Sequence, residues 1–318
     1  MYTESQKPAT GVLLGPQRLA VTVDREIEAL AIQGRIAVIT CGWQEREAED
    51  SELQEALGQR VINLRLHARS DAVFLDDREL REAHRTKQDR LRKLQTLYRG
   101  RLEHGVAAVR DLQQARGPED LIAAEITAAI EAIRLVDRQH LARVILLNRD
   151  YEDGVRPGSR PVVVAHRQEI AGMLEDCGAV AIAGGNVATI LNRLRLFGLG
   201  ELLVGRTILA WSAGAMALTD RVILFHDSPP QGRGNAEVLD AGLGLFPGLV
   251  ALPHARRRLL LDDARRVSLF ARRFAPARCI TLDPGSRLAR EGDRYRAGPN
   301  TRALGDGGEL WAPEPWSL

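Results

Sequence analysis

Short apolar runs alternate with helical patterns at the start of this chain, and no other feature of the sequence limits the possible folds as strongly. Residues 11–15 and 36–41 are predicted as buried strands, and residues 61–66 as a strand nearer the edge of a sheet. Helical patterns at residues 25–33 and 53–57 separate the three strands. This order is typical of a parallel sheet with helices on its faces.

The pattern changes between residues 76 and 140, where strand signals are almost absent. Apolar residues step by three or four in two segments, on either side of Gly117-Pro118. They are Leu91, Leu94, Tyr98, Leu102, Val106, Val109 and Leu112, then Leu121, Ile122, Ile126, Ile130 and Ile133. We predict a helical hairpin inserted at about residues 76–140. Three roles are open to it: packing on the body, the arm of a homodimer, or a lid over a site.

The strand and helix alternation then resumes. Strands are predicted at residues 144–147, 179–183, 208–210, 221–225 and 279–282, and around Leu288. Residues 256–274 are predicted as a helix, residues 228–235 as a loop, and residues 162–165 fit either a strand or a helix. We therefore expect one domain over residues 1–318, a three-layer α/β/α sandwich with a mostly parallel central sheet and the inserted hairpin.

The composition excludes several classes of function. With 44 basic and 42 acidic residues the net charge is only +2, which does not favour nucleic-acid binding. No run approaches the ~18 apolar residues of a membrane span, and the first residues lack a signal peptide's apolar run. The three cysteines, Cys41, Cys177 and Cys279, have no metal-ligand spacing. We expect a cytoplasmic protein without metal or cofactor.

Ser212 follows the predicted strand at residues 208–210 almost at once. The next residues, Ala213, Gly214 and Ala215, are all small. A serine at the end of a buried strand, followed by a tight turn into a helix, has the form of a nucleophile elbow. The same pattern also occurs as an ordinary strand-to-helix turn.

A second turn of this kind follows the strand at residues 179–183. Gly184 and Gly185 offer backbone N–H groups that no side chain shields, and Asn186 precedes a helical pattern. Because parallel strands end at the same edge of a sheet, the amides of Gly185 and Ala213 could together form an oxyanion hole. The alternative is a turn that only starts a helix.

A serine nucleophile needs a base, and His254 is the best placed of the seven histidines. It follows an apolar segment, residues 249–252, and precedes a helical pattern. His166 and His226 are weaker candidates. Arg256, Arg257 and Arg258 come directly after His254, where a guanidinium could bind a substrate carboxylate; they could equally form a solvated helical turn.

These motifs, in this order and spacing, resemble the dipeptidase E and cyanophycinase family of serine peptidases. The likeness covers residues 178–305, including Gly244–Gly248 and the late segment Ala297–Thr301. It implies a class I glutamine amidotransferase-like fold, with Ser212 as nucleophile and His254 as base. It also implies an oxyanion hole at Gly185 and Ala213. We predict substrate contacts at Gly184 and Asn186, and at Arg256 and Arg258 because they lie beside His254.

The chain departs from the family at the acid that orients the histidine. Aligning the strand at residues 279–282 puts Pro284 at the position of that acid, with Asp283 one residue earlier. Asp283 is our candidate for the third member of the triad, although Asp-Pro is also a common turn. Asp227, Asp262 and Asp263 are weaker candidates. The residues before His254 and at Gly184-Gly185-Asn186 differ from those of cyanophycinases, so cyanophycin is not the favoured substrate.

The sequence therefore predicts a serine hydrolase that cleaves an amide or peptide bond of a small substrate. The departure at Pro284 motivates an alternative: a catalytically impaired relative that binds partners or assembles through its helical insertion. A glutamine amidotransferase is disfavoured, because serine stands where such enzymes carry cysteine. Nucleic acid and membranes are not expected partners.

Overall fold

The computed structural model describes residues 10–18, 20–226 and 234–317. Asp227 and most of the loop predicted at residues 228–235 lie outside this description. No helix of the described residues is both long and apolar enough to cross a membrane.

The strands form one large sheet and two smaller ones. In chain order they are β1 (Thr10–Leu14), β2 (Arg35–Ile39), β3 (Val61–Asn63), β4 (Cys177–Ile182), β5 (Thr207–Trp211), β6 (Arg221–Leu224), β7 (Glu237–Ala241), β8 (Leu249–Pro253), β9 (Arg278–Leu282), β10 (Arg287–Glu291), β11 (Arg294–Ala297), β12 (Arg302–Leu304), β13 (Leu310–Trp311) and β14 (Trp316–Ser317). The large sheet has the order β3-β2-β4-β5-β1-β10-β11-β14. It is parallel from β3 to β1 and antiparallel beyond.

Helices cover the sheet on both faces. They are α1 (Val23–Ala29), α2 (Ser51–Ala56), α3 (Leu66–Asp76), α4 (Arg78–Leu112), α5 (Glu119–Val155), α6 (Pro161–Glu175), α7 (Val187–Leu196), α8 (Leu199–Leu202), α9 (Ala213–Leu218), α10 (Ala255–Arg258) and α11 (Ala264–Phe274). Successive residues of β1 pack into different cores, with Val12 and Leu14 on the face of α1 and α2, and Leu13 on the other. This alternation is the strand period of two, and it confirms the predicted three-layer fold.

The smaller sheets lie after β5 in the chain. β6 and β7 form an antiparallel pair, and β8 and β9 run parallel within the order β13-β12-β9-β8. Pro253 of β8 is level with Leu282 of β9, so the residues that follow them, His254 and Asp283, emerge side by side.

The long helices α4 and α5 pack against each other and are fixed to the body by a buried polar cluster. The Asp137 carboxylate accepts hydrogen bonds from Arg273 Nε at 2.6 Å and Nη2 at 2.7 Å, and from the Tyr98 hydroxyl at 2.7 Å. The Tyr98 hydroxyl also accepts the N–H of Val238. The His140 ring stacks on Tyr98, with centroids 4.0 Å apart. Helices α4, α5 and α11 and strand β7 are thus joined by one network.

Two predicted elements differ from the structure. Residues 144–147, predicted as a strand, lie within α5, because a short apolar run fits a buried helical turn as well as a strand. Residues 162–165, which fitted either a strand or a helix, lie within α6. The predicted helix at residues 256–274 is broken into α10 and α11. Asp263 caps the second of these by accepting the N–H of Arg266.

Candidate active site

Strands β2, β4 and β5 are parallel neighbours and end at the same edge of the large sheet. Ile39, Ile182 and Ala210 are level with one another across the three strands. The loops that follow therefore converge, and this is the edge at which open α/β sheets place their sites. Gly184 and Ser212 lie on these adjacent loops.

Ser212 has the backbone conformation of a sharp strand-to-helix turn. Its φ is 51° and its ψ is −125°, and α9 begins at the next residue. A residue other than glycine adopts a positive φ at a cost, and such strain is found most often at functional sites. The turn leaves the Ser212 side chain half-buried at the sheet edge.

The glycines after β4 allow the two loops to touch. A Cβ added to Gly184 would lie 2.7 Å from Cβ of Ser212 and 3.7 Å from the backbone nitrogen of Ala213. Gly185 has a φ of 118°, and a Cβ there would lie 2.3 Å from the carbonyl oxygen of Gly42. Side chains at these positions would push the loops apart, so the close approach requires glycine.

Two backbone amides at this edge have no hydrogen-bond partner within the described chain. Among the described residues, neither the Gly185 N–H nor the Ala213 N–H has a hydrogen-bond acceptor. The Ala213 N–H is at the first position of α9, where a helix leaves its amides unpaired. The two residues predicted to form an oxyanion hole thus lie on neighbouring turns, and that role stays a prediction.

His254 approaches Ser212 from the end of β8, in the four-stranded sheet. Its Nε2 lies 3.4 Å from the Ser212 Oγ. His254 itself has a left-handed backbone, with φ 57° and ψ 36°, and its N–H donates to the carbonyl of Leu282 at 3.1 Å. The left-handed turn after β8 directs the ring toward the serine. His166 is instead placed on α6, with Nδ1 3.0 Å from Arg69 Nη1.

The surroundings of His254 favour its neutral form. Partial burial lowers the pKa of the ring, and the positive charges of Arg258 and Arg257 lower it further. A neutral imidazole is the form that can accept a proton from a serine hydroxyl. The same positive charges oppose formation of the imidazolium once the proton has moved.

Asp283 lies next to His254 but faces the backbone of the following turn. Its carboxylate accepts the N–H of Arg256 at 3.0 Å, and Arg256 Nε is 4.0 Å from the second oxygen. Burial raises the pKa of Asp283, and the contacts with Arg256 oppose that rise. Within the described part of the chain, His254 has no carboxylate in ion-pair contact. Asp283 therefore supports the start of α10, and its role toward the ring stays a prediction.

The arginines after His254 differ in their surroundings. Arg256 is exposed and is the one in contact with Asp283. Arg258 is half-buried, and it forms no ion pair with any described residue. Burial and Arg257 both lower the pKa of Arg258. Arg258 is thus a partly desolvated positive charge that lowers the pKa of His254. A positive charge in such surroundings is suited to bind a carboxylate.

Asn186 is used by the fold. Its side-chain oxygen accepts the N–H of Thr189 at 3.0 Å and caps α7, and its own N–H donates to the carbonyl of Gly42 at 2.8 Å. This is the helix-starting turn that the sequence left open. The predicted contact between Asn186 and a substrate therefore has to coexist with the cap.

Gln44 was not among the predicted site residues, although it lies at the same sheet edge. It follows β2 and has φ 58° and ψ −125°, nearly the same conformation as Ser212. Its side-chain nitrogen is 3.4 Å from the Thr189 hydroxyl. The signal available in the sequence was its position just after the strand predicted at residues 36–41 and Gly42.

Cys41 lies just after β2 at this edge and is buried. Burial raises the pKa of Cys41 to about 12, so its thiol stays protonated at neutral pH. Across residues 10–18, 20–226 and 234–317, no group of three histidine, cysteine or acidic side chains is placed to hold a metal ion.

Comparison with known proteins adds little to this geometry. No protein-family model matches the chain, and no curated protein does. Among solved structures, a peptidase from an acI-B1 Actinobacterium aligns over 100% of both chains, with a TM-score of 0.49 and 12% sequence identity. Similarity at this level assigns neither a family nor an activity.

Proposed function

We propose that the protein is a serine hydrolase that cleaves an amide or peptide bond of a small substrate. The observation that carries the proposal is the pair formed by Ser212 and His254. A serine in a strained strand-to-helix turn has its Oγ 3.4 Å from a histidine Nε2. Catalytic hydrogen bonds are often this long before a substrate binds.

Ser212 Oγ attacks the substrate carbonyl carbon, and His254 Nε2 takes the hydroxyl proton. The carbonyl oxygen becomes an oxyanion, which accepts hydrogen bonds from the amides of Gly185 and Ala213. One such donor contributes roughly 2.7–4 kcal/mol in well-studied hydrolases. His254 then gives the proton to the leaving amine. Water attacks the acyl-enzyme while His254 takes its proton, and that proton returns to Ser212 Oγ as the acid product leaves.

The charges beside His254 favour a substrate that carries a carboxylate. Arg258 is half-buried without a carboxylate partner among the described residues, and the exposed Arg256 lies two residues before it, next to Asp283. A guanidinium binds a carboxylate through two parallel hydrogen bonds. Small acidic peptides, such as aspartyl dipeptides, meet this requirement.

The proposal is tested by incubating the purified protein with a panel of Asp-X dipeptides and isoaspartyl peptides and separating the products by chromatography. We expect release of the free amino acid by the wild type and none by Ser212→Ala. Arg258→Gln should raise KM more than it lowers kcat. Equal turnover by wild type and Ser212→Ala would contradict the proposal.

A catalytically impaired protein is the second candidate. The observation that favours it is the position of Asp283, whose carboxylate accepts the Arg256 N–H, with no described carboxylate paired to His254. Loss of the orienting acid costs ~10⁴-fold in kcat in a serine protease. Under this alternative the protein binds partners or assembles through its helical insertion, and the wild type releases no product from any peptide of the panel.

A further inference from the structure

The outward face of α5 carries a stripe of apolar side chains along most of its length. Leu121 is 59% exposed, Leu135 47% and Leu146 57%. Exposed alanines fill the positions between them, at Ala124, Ala128, Ala132 and Ala142. Steps of three and four residues keep all of these on one side of a helix. An exposed helix face with no polar residue along its centre, apart from Gln139, is unusual for a monomer.

The charges beside the stripe are arranged with opposite signs in its two halves. Glu125 and Arg143 are separated by 18 residues, which is five helical turns, so they lie on the same flank. Glu131 and Arg138, seven residues apart, lie together on the other flank. Glu125, Arg138 and Arg143 form no ion pair within the described chain, whereas Glu131 pairs with Arg134 of the same helix at 2.6 Å. The N-terminal half of the stripe is thus flanked by negative charges and the C-terminal half by positive charges, so the two halves are complementary in charge.

We infer that this face binds the same face of a second copy of the chain, with the two α5 helices antiparallel. A two-fold axis near residue 134 brings each residue of one half against the other half of the partner helix. The pairs formed across it are Leu121 with Leu146, Ala132 with Leu135, Glu125 with Arg143, and Glu131 with Arg138. The midpoint of every pair falls at residues 133–135. A single two-fold axis therefore generates both the apolar and the charged pairs.

The alanines and the neighbouring helix fit this arrangement. Small residues allow two helix axes to approach closely, with the leucines packing beside them. Arg101 of α4 donates to Gln139 of α5 at 2.6 Å, so the outer face of α4 lies alongside the stripe. That face carries Leu97, which is 71% exposed.

The size of the face is sufficient for a stable dimer. Residues 119–149 of α5 span about 46 Å, and α4 and α5 of one chain, lying side by side, present a face about 20 Å wide. A face of this size covers about 900 Å² on each partner, compared with about 800 Å² per partner in a standard specific interface.

The test is the mass of the full-length protein in solution, measured by sedimentation velocity over a range of concentrations. We expect a dimer of the 35.0 kDa chain. In the symmetric interface each contact occurs twice, so Glu125→Arg places two pairs of positive charges opposite each other. Arg143→Glu places two pairs of negative charges opposite each other in the same way. Each should weaken the dimer about tenfold or more. The double variant with both substitutions should recover the wild-type dissociation constant.

The control is Glu28→Arg, an equal change of charge at an exposed position of α1 away from the stripe, which should leave the dissociation constant unchanged. All three positions are exposed, so the variants are expected to fold. A monomeric wild type at every concentration would overturn the proposal. So would single variants as tightly associated as the wild type, or a double variant no tighter than the singles. None of these results depends on catalysis.

Discussion

The contact between Gly184 and Ser212 gives a quantitative prediction for Gly184→Ala. The new Cβ would lie 2.7 Å from Cβ of Ser212 and 3.4 Å from its Oγ. The loop cannot retreat from this contact, because Gly42 packs behind it. A Cβ on Gly42 would already be 2.6 Å from the Gly184 carbonyl oxygen. The serine must therefore move.

The size of that movement sets the expected loss. Ordinary contacts of a Cβ begin near 3.4 Å, so Ser212 has to shift by about 0.7 Å. A misplacement of about 1 Å at a reacting group costs on the order of 10²-fold in rate. We expect Gly184→Ala to lower the rate of the Ser212 reaction by about 10- to 100-fold, with about 1–3 kcal/mol of destabilisation from overpacking.

The assay is the second-order rate of covalent labelling by a fluorophosphonate, which requires no knowledge of the substrate, together with thermal unfolding. Gly172→Ala on α6 is the matched control, since nothing lies within 4 Å of its added Cβ. It should label like the wild type and be more stable by about 0.5–1 kcal/mol. A folded Gly184→Ala variant labelled within about twofold of the wild-type rate would refute the reasoning.

Three further outcomes are expected. Asp283→Ala should slow Ser212 labelling about tenfold or more, whereas Asp283→Asn should retain most of the rate because its amide oxygen can still accept the Arg256 N–H; equal losses would contradict this. Arg257→Gln removes a positive charge that lowers the pKa of His254, so the acidic limb of the pH–rate profile should move to higher pH, and a limb that moves lower would contradict it. Asp137→Ala leaves the buried Arg273 guanidinium without its carboxylate and should lower the free energy of unfolding in urea by about 3–5 kcal/mol. A loss below about 1 kcal/mol would contradict this expectation.

The alternation of buried strands and helices was enough to predict the layers of the fold. Residues 36–41 and 179–183 are short runs that are apolar except for Thr40, and a glycine follows each directly. Their length and the flanking glycines favour a strand, because such a run has no period of its own. Residues 144–147 are just as apolar, but they lie on a helix that continues to Val155. A four-residue run cannot distinguish these cases, because the partner that buries it is distant in the chain.

The candidate site shows the same division between local and distant information. The turns at Gly184 and Ser212 have local signatures, and the structure places them together as the order of parallel strands requires. The relation between His254 and Asp283 depends on the register of β8 with β9 and on where the Asp283 carboxylate points. The strand register and side-chain geometry that decide it have no local signature in the sequence. The pairing of Asp137 with Arg273 joins residues 136 positions apart and likewise has no local signal.

The most direct test of the central claim is the site of covalent modification by a fluorophosphonate, mapped by mass spectrometry of proteolytic peptides. We expect a single adduct, on the peptide that contains Ser212. This adduct should be lost in Ser212→Ala and form much more slowly in His254→Ala. An unlabelled but folded wild-type protein, or equal labelling of wild type and Ser212→Ala, would contradict the assignment of Ser212 as the nucleophile.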